Sequence, residues 1–333
     1  MRRTLLILLL FCIHSLSFAA ELPSYDKRLS TFSYPFSVNT FSFESQGEKI
    51  EMAYMYLPPK RDMPVVTLLH GKNFNGAYWQ QTAEFLQQQG YGVLIPDQIG
   101  FGKSSKPVNY QYGFAALATN TRALMKSLKI DHSIVTGHSM GGMLASRFAL
   151  LYPDVTSQLV LINPIGLENY LLYERYTDIE NVVNNEMNKT PEMIVSYQKK
   201  HYYDGKWNDK FTGHAEFLQG WVNGPDWPQL ARVSALTYDM ILTQPVIEEF
   251  DQFSMPVTLI LGTRDRTAPG AANLRAGVER ELGRYDRLGE EVKARNAAID
   301  VIELSGLGHL PQVEDFDRFT TAFSTALHQK PAN

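Results

Sequence analysis

The sequence predicts an α/β protein built on a doubly wound, mostly parallel sheet, with an antiparallel hairpin at its N-terminal edge and a helical cap inserted late in the chain. Three observations lead there. Short apolar runs at residues 65–69, 92–95, 134–136, 159–162 and 257–261 have the character of strands buried on both faces. Helix-length segments at 79–89, 114–128 and 140–151 lie between most of them, and alternating strand and helix implies parallel pairing. The rhythm then breaks between residues 167 and 251, where no buried strand is evident.

Taken in order, the first element is a targeting segment. Met1-Arg2-Arg3 is basic, residues 4–18 are almost wholly apolar, and Ser17-Phe18-Ala19-Ala20 follows. That is the pattern of a secretory signal peptide, with cleavage expected after Ala19. Residues 1–19 are therefore read as a signal peptide, and the protein as exported, to a periplasm or beyond the cell. An uncleaved anchor is the other reading, but the apolar stretch is short for a span of ~20 residues. Cleavage removes two basic residues and no acidic one, taking the formal charge from −4 to −6. It also removes the single cysteine, Cys12. A body without cysteine excludes disulfides, Cys-ligated zinc and a thiol nucleophile.

Residues 36–43 and 50–57 alternate around Ser45-Gln46-Gly47-Glu48, as a hairpin does. The core is expected to comprise residues 20–166 and 252–333, with 167–251 as the cap. The cap holds thirteen aromatic residues, most of them expected to form its own core and a few to line a cavity beneath. Residues 270–296 form a charged stretch, most simply a solvated helix or two. Residues 299–304 read as the last strand and 313–328 as a closing helix. With 44% hydrophobic and 20% charged residues the composition is ordinary for a globular protein, and the acidic balance gives no electrostatic case for nucleic acid.

The chemistry concentrates at Gly137-His138-Ser139-Met140-Gly141-Gly142, a G-x-S-x-G pattern. It sits between an apolar strand and a helix, the context in which such a serine stands in strained geometry above the sheet. Serine needs a base. Of the eight histidines, His309 lies in a glycine-flanked loop after the last strand and can reach Ser139. His132, His201, His214 and His328 read as surface residues, His70 as structural, and His138 as a packing residue turned away from the site. Asp265, just after the 257–261 strand, is the carboxylate expected to orient His309. Asp97 precedes the serine in a turn and reads as loop-fixing; Asn163 leaves no acid after the 159–162 strand. Two backbone N–H groups should face a developing oxyanion: that of Met140 and that of Lys72, with Asn73 the alternative to Lys72. The Lys72 side chain reads as a surface charge. Gly102-Lys103-Ser104 is not a phosphate loop, because Asp97 stands where that loop needs glycine. No spacing suggests a metal, and no cofactor is expected.

Together His70-Gly71-Lys72, the run from Asp97 to Ser104, the elbow at 137–142, Asp265 and Gly308-His309 resemble the α/β-hydrolase superfamily over residues 36–330, closest to its capped, esterase-like branch. The resemblance implies an α/β-hydrolase fold and two-step chemistry. Ser139 attacks an acyl carbonyl and the alcohol leaves; water activated by His309 then releases the acid. A serine nucleophile argues against the epoxide hydrolases and haloalkane dehalogenases, which use aspartate there. The family's C–C bond hydrolases and proline iminopeptidases have oxyanion loops richer in Gly and Pro. The expected activity is thus that of an exported carboxylesterase acting on a small-molecule ester. Amide, thioester, lactone or C–C bond hydrolysis, or ligand binding without turnover, are the alternatives.

Overall fold

The computed structural model describes residues 22–328; the signal-peptide reading of residues 1–19 lies outside them. Eight strands form one sheet in the order β1-β2-β4-β3-β5-β6-β7-β8. The hairpin strands β1 (Val38–Ser45) and β2 (Glu48–Leu57) are antiparallel, and β2 also runs antiparallel to β4 (Gly92–Pro96). The remainder is parallel: β3 (Val65–Leu69), β5 (Ser133–His138), β6 (Thr156–Ile162), β7 (Val257–Gly262) and β8 (Asp300–Leu304).

The continuous apolar runs exist because both faces of these strands are covered. Leu159 and Leu161 of β6 join one core cluster, and Val160 and Ile162 join the other. On the first face pack α2 (Phe114–Ser127), α3 (Met140–Leu151) and α8 (Tyr285–Arg295), through residues such as Leu117, Phe148 and Leu288. On the second pack α1 (Gln80–Gln88) and the closing helices α9 (Pro311–Glu314) and α10 (Phe316–Leu327), through Leu86, Phe319 and Phe323. Burying one such leucine or phenylalanine contributes roughly 1.5–3 kcal/mol. The single closing helix expected from sequence is two, because Asp315 ends α9 and its carboxylate caps α10 at Arg318 N. The charged stretch 270–296 yields one helix, α8, preceded by an irregular segment that makes an isolated bridge, Glu174 to Leu274.

Between β6 and β7 the chain builds α4 (Ile179–Met187), α5 (Pro191–His201), α6 (Asp209–Val222) and α7 (Trp227–Thr243). Three of these starts are written locally: Asp178, Thr190 and Asn208 cap α4, α5 and α6 through their side-chain oxygens. The cap does not rest only on its own aromatics. Leu29, from the segment before β1, is fully buried among Phe217, Trp221, Trp227, Leu230 and Ala231.

Candidate active site

The strand-to-helix turn after β5 puts Ser139 in the left-handed region, φ 57° and ψ −124°. The glycines beside it are obligatory. A Cβ on Gly137 would lie 2.0 Å from the Gly141 carbonyl oxygen, and one on Gly141 would lie 2.1 Å from that of Leu69. Only bare backbone lets α3 start that close to the sheet.

The structure brings together the three residues expected from sequence. His309 Nδ1 is 2.7 Å from Asp265 Oδ2, and its Nε2 is 3.0 Å from Ser139 Oγ. The carboxylate can only accept, so Nδ1 carries the proton and Nε2 is left to accept the serine hydroxyl's. His309 and Asp265 are fully buried, which keeps this string away from competing water. Asp265 is itself held: Asn163 Nδ2 donates to Oδ2 at 2.8 Å, and Thr267 N–H donates to Oδ1 at 2.8 Å. Asn163 Oδ1 accepts from Gly262 N–H at 2.9 Å. Sequence reasoning passed over Asn163 because it was searching that position for an acid; its place at the end of β6 was the available signal.

The remaining histidines sort by their partners. His70 Nε2 accepts from Gln98 N–H (3.1 Å), so its Nδ1 donates to the Gly71 carbonyl (2.9 Å), a structural role as expected. His138 does more than pack. Its Nε2–H donates to the His309 carbonyl (2.8 Å), and its Nδ1 accepts from the Tyr78 hydroxyl (3.0 Å). Burial holds the His138 imidazole well below the usual histidine range, and the neighbouring His309 pushes it the same way. His214 is not a plain surface residue either: burial, with Lys210 nearby, lowers it to about 4. Asp97 fixes its loop, accepting from Gly76 N–H (2.7 Å), Lys103 N–H (2.7 Å) and the Tyr34 hydroxyl (2.6 Å).

The loop after β3 passes close to the serine: a Cβ on Gly71 would lie 3.0 Å from Ser139 Cβ. Among the described residues, the N–H groups of Lys72, Asn73 and Met140 take no protein acceptor. The Lys72 side chain corrects the surface reading. It turns inward and ends on the cap, where Nζ donates to Ser234 O (2.9 Å), Ser234 Oγ (2.8 Å) and Thr237 Oγ1 (3.3 Å) of α7. Tyr202, just past α5, roofs the imidazole of His309 with ring centroids 4.7 Å apart and planes 25° from parallel. Its hydroxyl accepts from Asn73 Nδ2 at 2.9 Å. Neither contact was legible in the sequence, since both join segments more than a hundred residues apart. A cavity of about 270 Å³ opens above Ser139, lined by apolar residues including Ile165, Ile194, Leu218 and Ile241. Its size and apolar walls suit a small organic molecule.

An enclosed serine, a buried imidazole and carboxylate aligned behind it, and free N–H groups beside it form an arrangement suited to acyl transfer. Residues 64–281 match the family of the α/β hydrolase fold. The chain belongs to that family. It is 40% identical to a "probable hydrolytic enzyme" of Pseudomonas aeruginosa PAO1, covering 92% of this chain and 99% of that one with a TM-score of 0.89. It is 35% identical over 104 residues to an uncharacterized protein of Mycobacterium tuberculosis, 31% of this chain and 30% of that protein. Over 106 residues it is 33% identical to an Escherichia coli protein provisionally named carbamate hydrolase RutD, 32% of this chain and 40% of that one. These two curated relatives are thus matched over less than half of their own length.

Proposed function

We propose that the protein is an exported serine hydrolase that cleaves small-molecule carboxylic esters through an acyl-enzyme intermediate. The observation that carries this reading is the hydrogen-bonded string from Ser139 through His309 to Asp265. His309 Nε2 takes the Ser139 proton as Oγ attacks the acyl carbonyl. Asp265 holds the imidazole in the required tautomer and stabilises the imidazolium. The N–H groups of Lys72 and Met140 receive the oxyanion; one such donor is worth on the order of 3 kcal/mol in the transition state. His309 returns its proton to the leaving alkoxide, then activates the water that hydrolyses the acyl-enzyme. Export rests on the sequence of residues 1–19.

Intact-mass labelling with a fluorophosphonate tests the chemistry. Wild type should gain one adduct and Ser139→Ala none, with ester turnover lost in parallel; well-folded wild type that takes no adduct overturns the reading. A mature protein beginning at Ala20 is the expected result for export, and a retained Met1 contradicts it.

A further inference from the structure

The cavity above Ser139 has charged side chains in its lining, Lys72, Glu186 and Lys189, and the three lie close enough to interact. Glu186 ends α4 and Lys189 follows it; Lys189 Nζ lies 2.7 Å from each Glu186 carboxylate oxygen. Lys72 Nζ directs its hydrogen bonds to three neutral oxygens, Ser234 O, Ser234 Oγ and Thr237 Oγ1. Two cations therefore share one carboxylate, and among the described residues no other acidic side chain lines this cavity. An incompletely paired charge against an apolar wall is costly unless something binds to complete it.

A second observation points the same way. Gln198 lines the same cavity and is 1% exposed, yet neither end of its carboxamide meets a hydrogen-bond partner. Thr267, also lining it, has a buried hydroxyl without a partner. The cavity thus combines an excess of positive charge with unused donors. A ligand of opposite character offers negative charge and acceptor oxygens.

We propose that the substrate carries a carboxylate in addition to its scissile ester, and that this carboxylate seats on the Lys72–Lys189 side of the cavity. The inference rests on the serine-hydrolase reading above and names its substrate class: half-esters of dicarboxylic acids and similar monoanionic acyl compounds. Glu186 does not bar such a group, because its charge is taken up by Lys189. Burial pushes the Lys72 ammonium down to about 8; Glu186 nearby works against that shift and Lys189 adds to it. A bound carboxylate restores that balance, and the donors of Gln198 and Thr267 fall to its oxygens or to the acyl chain's other polar atoms.

The test compares 4-nitrophenyl hemiglutarate with 4-nitrophenyl valerate, which differ in a terminal carboxylate against a terminal methyl group. The readout is the ratio of their kcat/KM values after spontaneous hydrolysis is subtracted. Wild type should favour the hemiglutarate by about tenfold or more. Lys189→Met should lower the ratio about tenfold, and Glu186→Gln should raise it, because the two changes move the local charge in opposite directions. A merely structural role for the pair would shift both variants the same way, and that outcome overturns the proposal. So does a wild-type ratio near or below one, including no turnover of the hemiglutarate. Wild type that labels with fluorophosphonate and turns over valerate leaves the serine-hydrolase reading standing in that case. Absence of labelling overturns that reading itself.

Discussion

The Nε2–H of His138 is donated to the carbonyl oxygen of His309, 2.8 Å away. The residue that precedes Ser139 in the chain thereby holds the backbone of the residue whose side chain faces Ser139. The chain of contacts continues through Tyr78, whose hydroxyl lies 3.0 Å from His138 Nδ1 and 3.4 Å from Gly71 N. One buried imidazole thus spans the base loop and the loop after β3. His138→Leu leaves the His309 carbonyl without its imidazole donor and the Tyr78 hydroxyl proton without an acceptor, at a cost of about 1–3 kcal/mol each. The expected result is a fall in kcat for a neutral ester of about tenfold or more with a smaller change in KM, because the imidazole is misplaced and the pocket is not. Steady-state kinetics alongside a melting curve decides it; wild-type kcat in a folded variant removes the positioning role.

The same histidine gives the protein a pH-dependent stability. Burial lowers the folded-state pKa of both His138 and His70 below 6.5. Below that value the unfolded chain takes up a proton at each site and the folded chain does not. Stability therefore rises with pH across this window and is lost as the pH falls through 6.5. Each histidine contributes a slope approaching ~1.4 kcal/mol per pH unit. Urea unfolding between pH 7.5 and 5.5 should show the decline, and His138→Gln should remove one share of it, since burial lowers His70, His201 and His214 as well. A profile identical in wild type and variant speaks against a neutral, buried His138.

What the sequence made legible here was chemistry carried by short, local patterns. The elbow around Ser139 is six consecutive residues, and β5 and α3 around it follow from apolar runs of the right length. Asp265 and His309 could be singled out because each follows a buried strand, and strand ends collect at one edge of a parallel sheet. The companions of those residues were not legible. Asn163 supports Asp265 across 102 positions, and Tyr202 covers His309 from inside the cap. Lys72 illustrates the reason most plainly. A lysine after a loop glycine is ordinarily solvated, and only the approach of α7, 162 residues away, turns it inward. Such contacts depend on how the cap docks, which no local periodicity encodes. The segment from Leu22 to Phe36 escaped notice likewise, because it forms no strand or helix and its role lies wholly in what it touches.

The docking of the cap is therefore part of the candidate site, and Tyr202 allows that to be measured. Its ring lies over His309, and its carbonyl oxygen sits 2.5 Å from where a Cβ on Gly308 would be. Tyr202→Phe keeps the ring and loses the bond from Asn73 and the hydroxyl's interaction with Tyr197, so kcat should fall by a few-fold at most, about the net worth of one or two hydrogen bonds. Tyr202→Ala removes the roof and leaves a cavity beside a fully buried imidazole, with a loss of about 3–5 kcal/mol in stability. Water admitted to His309 should then lower kcat well beyond the effect of Tyr202→Phe. Equal kinetics in the two variants refute the roofing role, since they differ in the ring alone.

The segment before β1 fastens the cap from the other side, and Leu29 is its anchor. Around it, Tyr25 N–H donates to the Gly220 carbonyl (2.9 Å), Trp221 Nε1–H donates to the Asp26 carbonyl (3.0 Å), and Lys27 N–H donates to Asp226 Oδ2 (2.8 Å). At its far end Tyr34 bonds Asp97 of the core, and in its middle Arg28 pairs with Glu51 of β2. The segment therefore bridges α6 and α7 to the sheet. Leu29→Ala should cost about 2–5 kcal/mol, the range for a fully buried leucine. The informative comparison is Val160→Ala in β6, also fully buried but in the central sheet and outside the cluster around Leu29. Both variants should lower the melting temperature. Only Leu29→Ala should raise KM, because it loosens α6 and α7, which supply Leu218, Tyr238 and Ile241 to the cavity wall. If KM rises equally in both, the effect is general loosening and the segment does not hold the cap in place. If KM rises in Leu29→Ala alone, this stretch shapes the substrate pocket without touching the substrate.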